Sequence, residues 1–239
     1  MTGLDALVDA IKHARDGHRE PGPLLVGVSG AVGVGKSTAA EMLARGLDER
    51  GVTVDRVCTD GFLHTNAELA AADLKMRKGF PESFDEDLLE KALLLLRDGA
   101  PDLRVPEYSH VDYDRIPGPG RQIGDVDVVI VEGVNALQPP VARHLHIGVY
   151  LHAEEPVLRE WFTARFLALC AEADADPATA SFYRMFLEHD EAKRRSIAER
   201  TWNEVNAVNL RDHIAPSRAA ATYVVVKRSD HSIESVTRA

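Results

Sequence analysis

The chain has 239 residues, 45% of them hydrophobic and 28% charged, a globular composition that excludes a disordered tail, a collagen or a coiled coil. Its length suits one large α/β domain better than two ordinary ones. With 38 acidic against 28 basic residues the net charge is -10, which excludes a uniformly basic face for duplex nucleic acid and leaves room only for a local basic pocket.

Leu4, Leu7, Val8 and Ile11 recur at helical spacing, so a helix is predicted over 2–17, and GHREPGP breaks it. LLVGVSG (24–30) is a short apolar run ending in glycine, the pattern of a buried parallel strand. TAAEMLARGLDERG reads as a helix with Gly51 as its stop, and TVDRVCT (53–59) alternates as a second strand. Ser83 and Glu86 stand at capping-box spacing before DLLEKALLLLRDG, which predicts a helix starting near Phe84 and ending by Gly99. YSHVDYDRIPGPG is too rich in turn formers for regular structure. DVVIVEG (127–133) and IGVYLHA (147–153) read as buried strands. PVLREWFTARFLALCAEA and EAKRRSIAERTWNEVNAVNLRDHI read as helices, and TYVVVKR (222–228) as the last strand. This alternation predicts an α/β protein with a mostly parallel sheet flanked by helices on both faces. No apolar run reaches the roughly 18 residues of a membrane span, and the opening residues lack an apolar core of signal length. Cys58 and Cys170 make neither a disulfide framework nor a zinc site. The expectation is a reduced, soluble, cytoplasmic protein without nucleic-acid or membrane partners, its cysteines packed as small core residues.

Between the first strand and the first long helix lies GAVGVGKS, which matches the phosphate-loop pattern G-x-x-x-x-G-K-S. The glycines let the backbone curl so that its N–H groups point inward at phosphate oxygens. The helix that follows offers its positive end to the same anion. Gly30, Ala31, Val32, Gly33, Val34, Gly35, Lys36, Ser37 and Thr38 are therefore the candidate nucleotide-binding residues. Lys36 would reach the β- and γ-phosphates, and the Ser37 hydroxyl would ligate a bridging magnesium ion. The expected fold is a three-layer P-loop NTPase fold in one domain, 1–239. Its N-terminal helix falls within 1–22, and a helical substrate or lid region spans 154–215. A GTPase switch would carry an N-K-x-D element and a motor or transporter subunit a glycine-rich signature helix. Neither occurs, so a small-molecule kinase using ATP is the leading reading.

Asp60 follows the second strand, where ligands of open α/β sheets bind. It would orient the hydroxyl of an attacking alcohol, or it is a turn aspartate in an Asp-Gly pair. Glu132 ends another strand and would hold magnesium or its waters, or cap a helix through VNAL. Arg165 would stabilise transition-state charge, with Arg159 assisting, or both are solvated helix arginines. Tyr108, His110 and Tyr113 share one loop and would line a pocket or pack on the surface. Asn206 and Asn209 share a helix face with Trp202, to bind a polar substrate or hold a neighbouring loop.

The series GKSTAA, TDGF, RKGFPESFD, VPEYSHVDYD, VIVEGVNALQ, W-F-x-x-RF, W-N-x-VN-x-x-NL and I-x-PSR resembles the bacterial type I pantothenate kinases over nearly the whole chain. The resemblance implies ATP-dependent phosphorylation of pantothenate at its primary hydroxyl, the first step of coenzyme A synthesis, with magnesium. It implies that Lys36 and Ser37 are the phosphate and magnesium groups, Asp60 the catalytic aspartate and Arg165 the phosphate-binding arginine. It places Tyr108, His110 and Asn206 against the acceptor, with Tyr113 in the same loop. A homodimer and inhibition by coenzyme A are implied too. The chain departs from the family at Phe162, where a tyrosine is usual, in a shorter segment between Gln138 and Tyr150, and in a short region before the phosphate loop. Loss of that hydroxyl bears on the acceptor more than on the chemistry. A relative acting on a nucleoside or sugar, and a non-catalytic ATP-binding regulator, are the alternatives.

Overall fold

The computed structural model describes residues 3–176 and 181–239. Helix α1 (Asp5–Gly17) buries Leu7, Val8 and Ile11 along one face and leads into β1 (Leu24–Gly30), buried at every residue. Helix α2 (Lys36–Asp48) buries Ala39, Ala40, Leu43 and Leu47, a stripe at three- and four-residue spacing. Then come β2 (Val54–Cys58), the short α3 (Asn66–Ala71) and α4 (Glu86–Arg97). Four two-residue strands pair antiparallel, β3 (Arg104–Val105) with β6 (Arg121–Gln122) and β4 (Tyr108–Ser109) with β5 (Asp114–Arg115). The chain continues through β7 (Val128–Glu132), α5 (Pro139–Ala142), β8 (Ile147–His152) and the long α6 (Glu155–Ala175). Helix α7 (Glu191–Thr201) runs into two π-helical turns, Trp202–Asn206 and Leu210–Ile214, around α8 (Ala207–Asn209). Strands β9 (Tyr223–Lys227) and β10 (Ile233–Arg238) close the chain.

The main sheet has the order β10-β9-β8-β1-β7-β2, parallel except for β10. Side chains alternate across it with period two. Leu24, Val26, Val28, Val128 and Ile130 pack with α1 and α2. Leu25, Val129 and Val131 face the other way, onto Leu89, Leu93 and Leu96 of α4. The result is three layers, helix on sheet on helix. A smaller apolar cluster of Phe166, Cys170 and Ala198, with Phe186 and Ile197 against it, holds α6 to α7.

Several expectations need correction. Helix α4 is capped by Asp85, whose carboxylate accepts the Leu88 N–H, not by Ser83. The Ser83 hydroxyl is already engaged, accepting from Gly79 N and donating to Phe80 O. A capping box does form, at Thr65 and Glu68. The YSHVDYD segment is not irregular but a small hairpin. TYVVVKR is not the last strand: β10 follows it on the sheet edge, half-exposed and too mixed in polarity to announce itself. The acid at Glu132 caps no helix, because 133–138 form turns before α5.

The strand register aligns the upper ends of three strands. Glu132 lies level with Val28 on one side and Cys58 on the other. Just beyond, Gly133 leaves room for the buried Thr59, whose hydroxyl donates to Asn135 Oδ1 at 2.5 Å. A Cβ on Gly133 would lie 1.7 Å from Thr59 Oγ1. Gly133→Ala should therefore displace Thr59 and the adjoining Asp60, at a cost of about 1–3 kcal/mol. The expected reading in a thermal melt is a fall in Tm of roughly 3–10 °C.

Candidate active site

The phosphate loop bridges β1 and α2. Gly30, Gly33 and Gly35 adopt φ of +148°, +80° and +91°, a left-handed path that a side chain would strain. Gly35 is the N-cap of α2, so the first N–H groups of that helix open onto the cleft beside it. This cleft, about 1060 Å³, is lined by Gly33, Gly35, Lys36, Ser37 and Thr38 on one side. Arg165 and Trp161 of α6, His110, and Lys227 and His231 from near the sheet edge also line it. Lys36 Nζ donates to Ala31 O at 3.1 Å, folded back on its own loop. Burial pulls the pKa of its ammonium down, opposed by the charges of Glu132 and Asp60.

Two carboxylates stand at the strand ends. Ser37 Oγ donates to Glu132 Oε1 at 2.9 Å. A hydroxyl and a carboxylate converging at the mouth of a phosphate loop form an all-oxygen donor pair suited to a hard divalent cation. Asp60 sits two residues beyond β2, in the 3₁₀ turn Thr59–Phe62. Its charge acts on Lys36, Cys58, Lys78, Tyr108, His110 and Tyr113, so it stands between the phosphate loop and the hairpin. Cys58 is no core residue, since it lies beside Glu132 in the crevice. Burial, reinforced by Asp60 and Glu132, pushes its thiol far up, which keeps it protonated and unreactive. Cys170 is buried, as expected.

Across from the loop, the β4–β5 hairpin presents a ring cluster. Tyr108 meets His110 edge-on at 5.2 Å and Tyr113 at 6.2 Å. Burial raises the Tyr108 phenol well above its ordinary value and brings Tyr113 to about 12, so both remain hydroxyl donors. His110 is held neutral by burial, against the pull of Asp60. Tyr113 has φ +55°, a strained conformation for a bulky residue. Its carbonyl accepts from Asn66 Nδ2 at 2.9 Å and Lys78 Nζ at 2.6 Å, and its ring stacks on Phe182 at 4.6 Å. Lys78 also donates to Asn66 Oδ1 and lies 4.3 Å from the Tyr113 ring centre.

The structure thus brings Lys36, Ser37, Asp60, Glu132, Arg165, Tyr108, His110 and Tyr113 into one crevice. Arg159 is exposed and not among the residues lining the cleft. Asn209 holds a loop, donating to Gly79 O at 2.7 Å. Asn206, one turn earlier, has a buried Nδ2 without a hydrogen-bond partner among the described residues. Phe162 packs by its backbone on Gly33, and its ring lies 5.8 Å from Trp202. Sequence reasoning missed Lys78 and Lys227. RKGF marked the first only by likeness, and the second ends a strand read as structural.

The phosphoribulokinase/uridine kinase family model matches residues 25–165. A pantothenate kinase of Rhodopseudomonas palustris (strain TIE-1) is 42% identical over 227 residues, covering 90% of this chain and 71% of that one. One from Afipia carboxidovorans is 41% identical over 228 residues with the same coverage. A solved structure described as a candidate fructose transport system kinase from Silicibacter sp. TM1040 superposes with a TM-score of 0.72 at 25% identity. That match covers 88% of this chain and 93% of the other.

Burial brings the Lys78 ammonium down to about 8, against Asp114 and Asp60. Its folded pKa lies below the unfolded one, so it loses charge as pH rises through about 8. Between that pH and the ordinary lysine value the unfolded chain holds more protons, and this group's contribution to stability rises with pH. An acceptor bound at the cluster should lose affinity over the same rise. Initial rates from pH 6.5 to 9.5 should show the acceptor KM climbing above about pH 8, and Lys78→Arg, which stays charged, should flatten the climb.

Proposed function

Because the chain belongs to the phosphoribulokinase/uridine kinase family, and within it to the pantothenate kinases, we propose that it transfers the γ-phosphoryl group of ATP to the primary hydroxyl of pantothenate. It is a phosphotransferase with an alcohol acceptor. The observation that carries the reading is Asp60, whose charge reaches both the phosphate-loop lysine and the tyrosine hairpin.

The α2 N-terminus and the loop N–H groups hold the phosphates, while Lys36 leaves Ala31 O to meet them. Arg165 faces the same cleft and offsets charge on the equatorial oxygens of the transferring group. Ser37 and Glu132 would hold a magnesium ion, which when bound neutralises phosphate charge. Asp60 orients the alcohol and takes its proton as the new P–O ester bond forms and the bond to the β-phosphate oxygen breaks, giving the phosphate ester and ADP. Tyr108, His110, Tyr113, Lys78 and Asn206 hold the acceptor. The region 154–215, of which 177–180 lie outside the described residues, acts as a lid within one domain. Its contacts with the hairpin support this: Phe182 N donates to Val111 O at 2.8 Å, and Phe182 stacks on Tyr113. The family likeness supports a cytoplasmic homodimer and inhibition by coenzyme A. Among the described residues no helix is long and apolar enough to cross a membrane. A sugar or nucleoside is the alternative acceptor class, because Phe162 lacks the hydroxyl that the resembling family usually places there.

ADP release measured against pantothenate, nucleosides and sugars tests the assignment. Pantothenate should give the highest kcat/KM, and a rate at background with pantothenate beside a clear rate with another alcohol would replace it. In the same assay Asp60→Asn should lower kcat about 10²–10⁴-fold and leave the KM for ATP within a few fold. Unchanged turnover would remove Asp60 from the chemistry.

A further inference from the structure

Phosphoryl transfer through Lys36, Arg165 and Asp60 makes no use of a half-buried lysine that lines the same cleft, Lys227. Lys227 ends β9 and points its ammonium into the nucleotide cleft. Its Nζ donates to Val34 O of the phosphate loop at 2.8 Å and lies 5.1 Å from the Trp161 ring centre. It comes so near Gly35 that a Cβ there would sit 2.9 Å from Nζ. Gly35 therefore serves two ends, its left-handed φ and the approach of this side chain. Lys227 is half-buried, and burial alone shifts its pKa, downward. Among the described residues no carboxylate makes an ion pair with it. A half-buried ammonium without a counter-charge carries a desolvation cost that an anion would offset.

The bond to Val34 O has a consequence for the loop. A trans peptide is planar, with its C=O and N–H pointing in opposite directions. Fixing the Val34 carbonyl toward Lys227 therefore also fixes the orientation of the Gly35 N–H, because the two groups share one rigid plane. The ammonium carries three N–H groups, and Val34 occupies one. The others remain for phosphate oxygens.

We propose that Lys227 is a phosphate-positioning residue, fixing the Val34–Gly35 peptide and adding a second lysine charge, after Lys36, to the site of the nucleotide's phosphates. This rests on the nucleotide reading of the cleft. It makes the strand that precedes the sheet edge part of the phosphate site, far along the chain from Lys36.

The test is steady-state kinetics of the full chain with MgATP and its best alcohol, for Lys227→Met, Lys227→Arg and Lys36→Met, each checked by thermal unfolding. Lys227→Met should raise the KM for MgATP about tenfold or more, with a smaller fall in kcat and little change in the acceptor KM. Lys227→Arg, which keeps charge and donors, should recover most of the nucleotide KM. An unchanged nucleotide KM in Lys227→Met, while Lys36→Met is severely impaired, would overturn this inference alone. So would equal losses for both substrates together with a lowered Tm that arginine does not restore, the mark of a purely structural lysine. Full activity in Lys36→Met would overturn the nucleotide reading and this inference with it.

Discussion

Parallel pairing of β2, β7 and β1 fixes the heights of their ends, and Lys36, Ser37, Asp60 and Glu132 all hang from that registry. Cys58, Glu132 and Val28 lie at one level. One residue past Cys58, Thr59 enters the space that Gly133 leaves open, and Asp60 follows it. Two residues past Val28, Gly30 begins the phosphate loop. A slip of one residue would turn each inward side chain to the opposite helix layer, so the apolar packing on both faces of the sheet enforces the alignment. The site is thus positioned by the most buried part of the molecule, where close packing holds geometry most tightly.

Charge is concentrated where the structure can least hydrate it. Lys36, Lys78 and Lys227 are each lowered in pKa by burial, and each contacts backbone carbonyl oxygens. Such groups are only partly compensated by the dipoles around them, and a polyanion entering the crevice completes the compensation. Asp60 stands among them as the charge shared by the two halves. The strained Tyr113 belongs to the same design. Lys78 and Asn66 hold its carbonyl, so the hairpin is set by interactions rather than by local preference.

Much of this was legible in the sequence because it follows from short-range rules. Buried strands such as LLVGVSG and DVVIVEG are continuous apolar runs, and the phosphate loop is a local motif whose glycines have a defined conformational task. The positions of Asp60 and Glu132 followed from the rule that ligands bind beyond strand ends. The features that were not legible depend on tertiary partners. Ser83 has the right spacing for a cap but is engaged by Gly79 and Phe80. The β10 strand is an edge, with no buried run to mark it. Lys227 and Lys78 are ordinary lysines until Val34 and Tyr113 are brought to them from far along the chain. Asn206 and Asn209 are equivalent as sequence on one helix face, and only the approach of Gly79 separates the one that ties a loop from the one left open.

In the proposed reaction, donor and acceptor meet in one crevice and the phosphoryl group passes directly between them. The most direct measurement is the stereochemical course of transfer from ATP made chiral at the γ-phosphorus with oxygen isotopes. A single in-line displacement inverts the configuration in the phosphate ester product. Inversion is the expected result. Retention would require two displacements through a phosphorylated side chain, and would contradict both the role of Asp60 as the group that orients the alcohol and the direct meeting of the two substrates in a shared crevice.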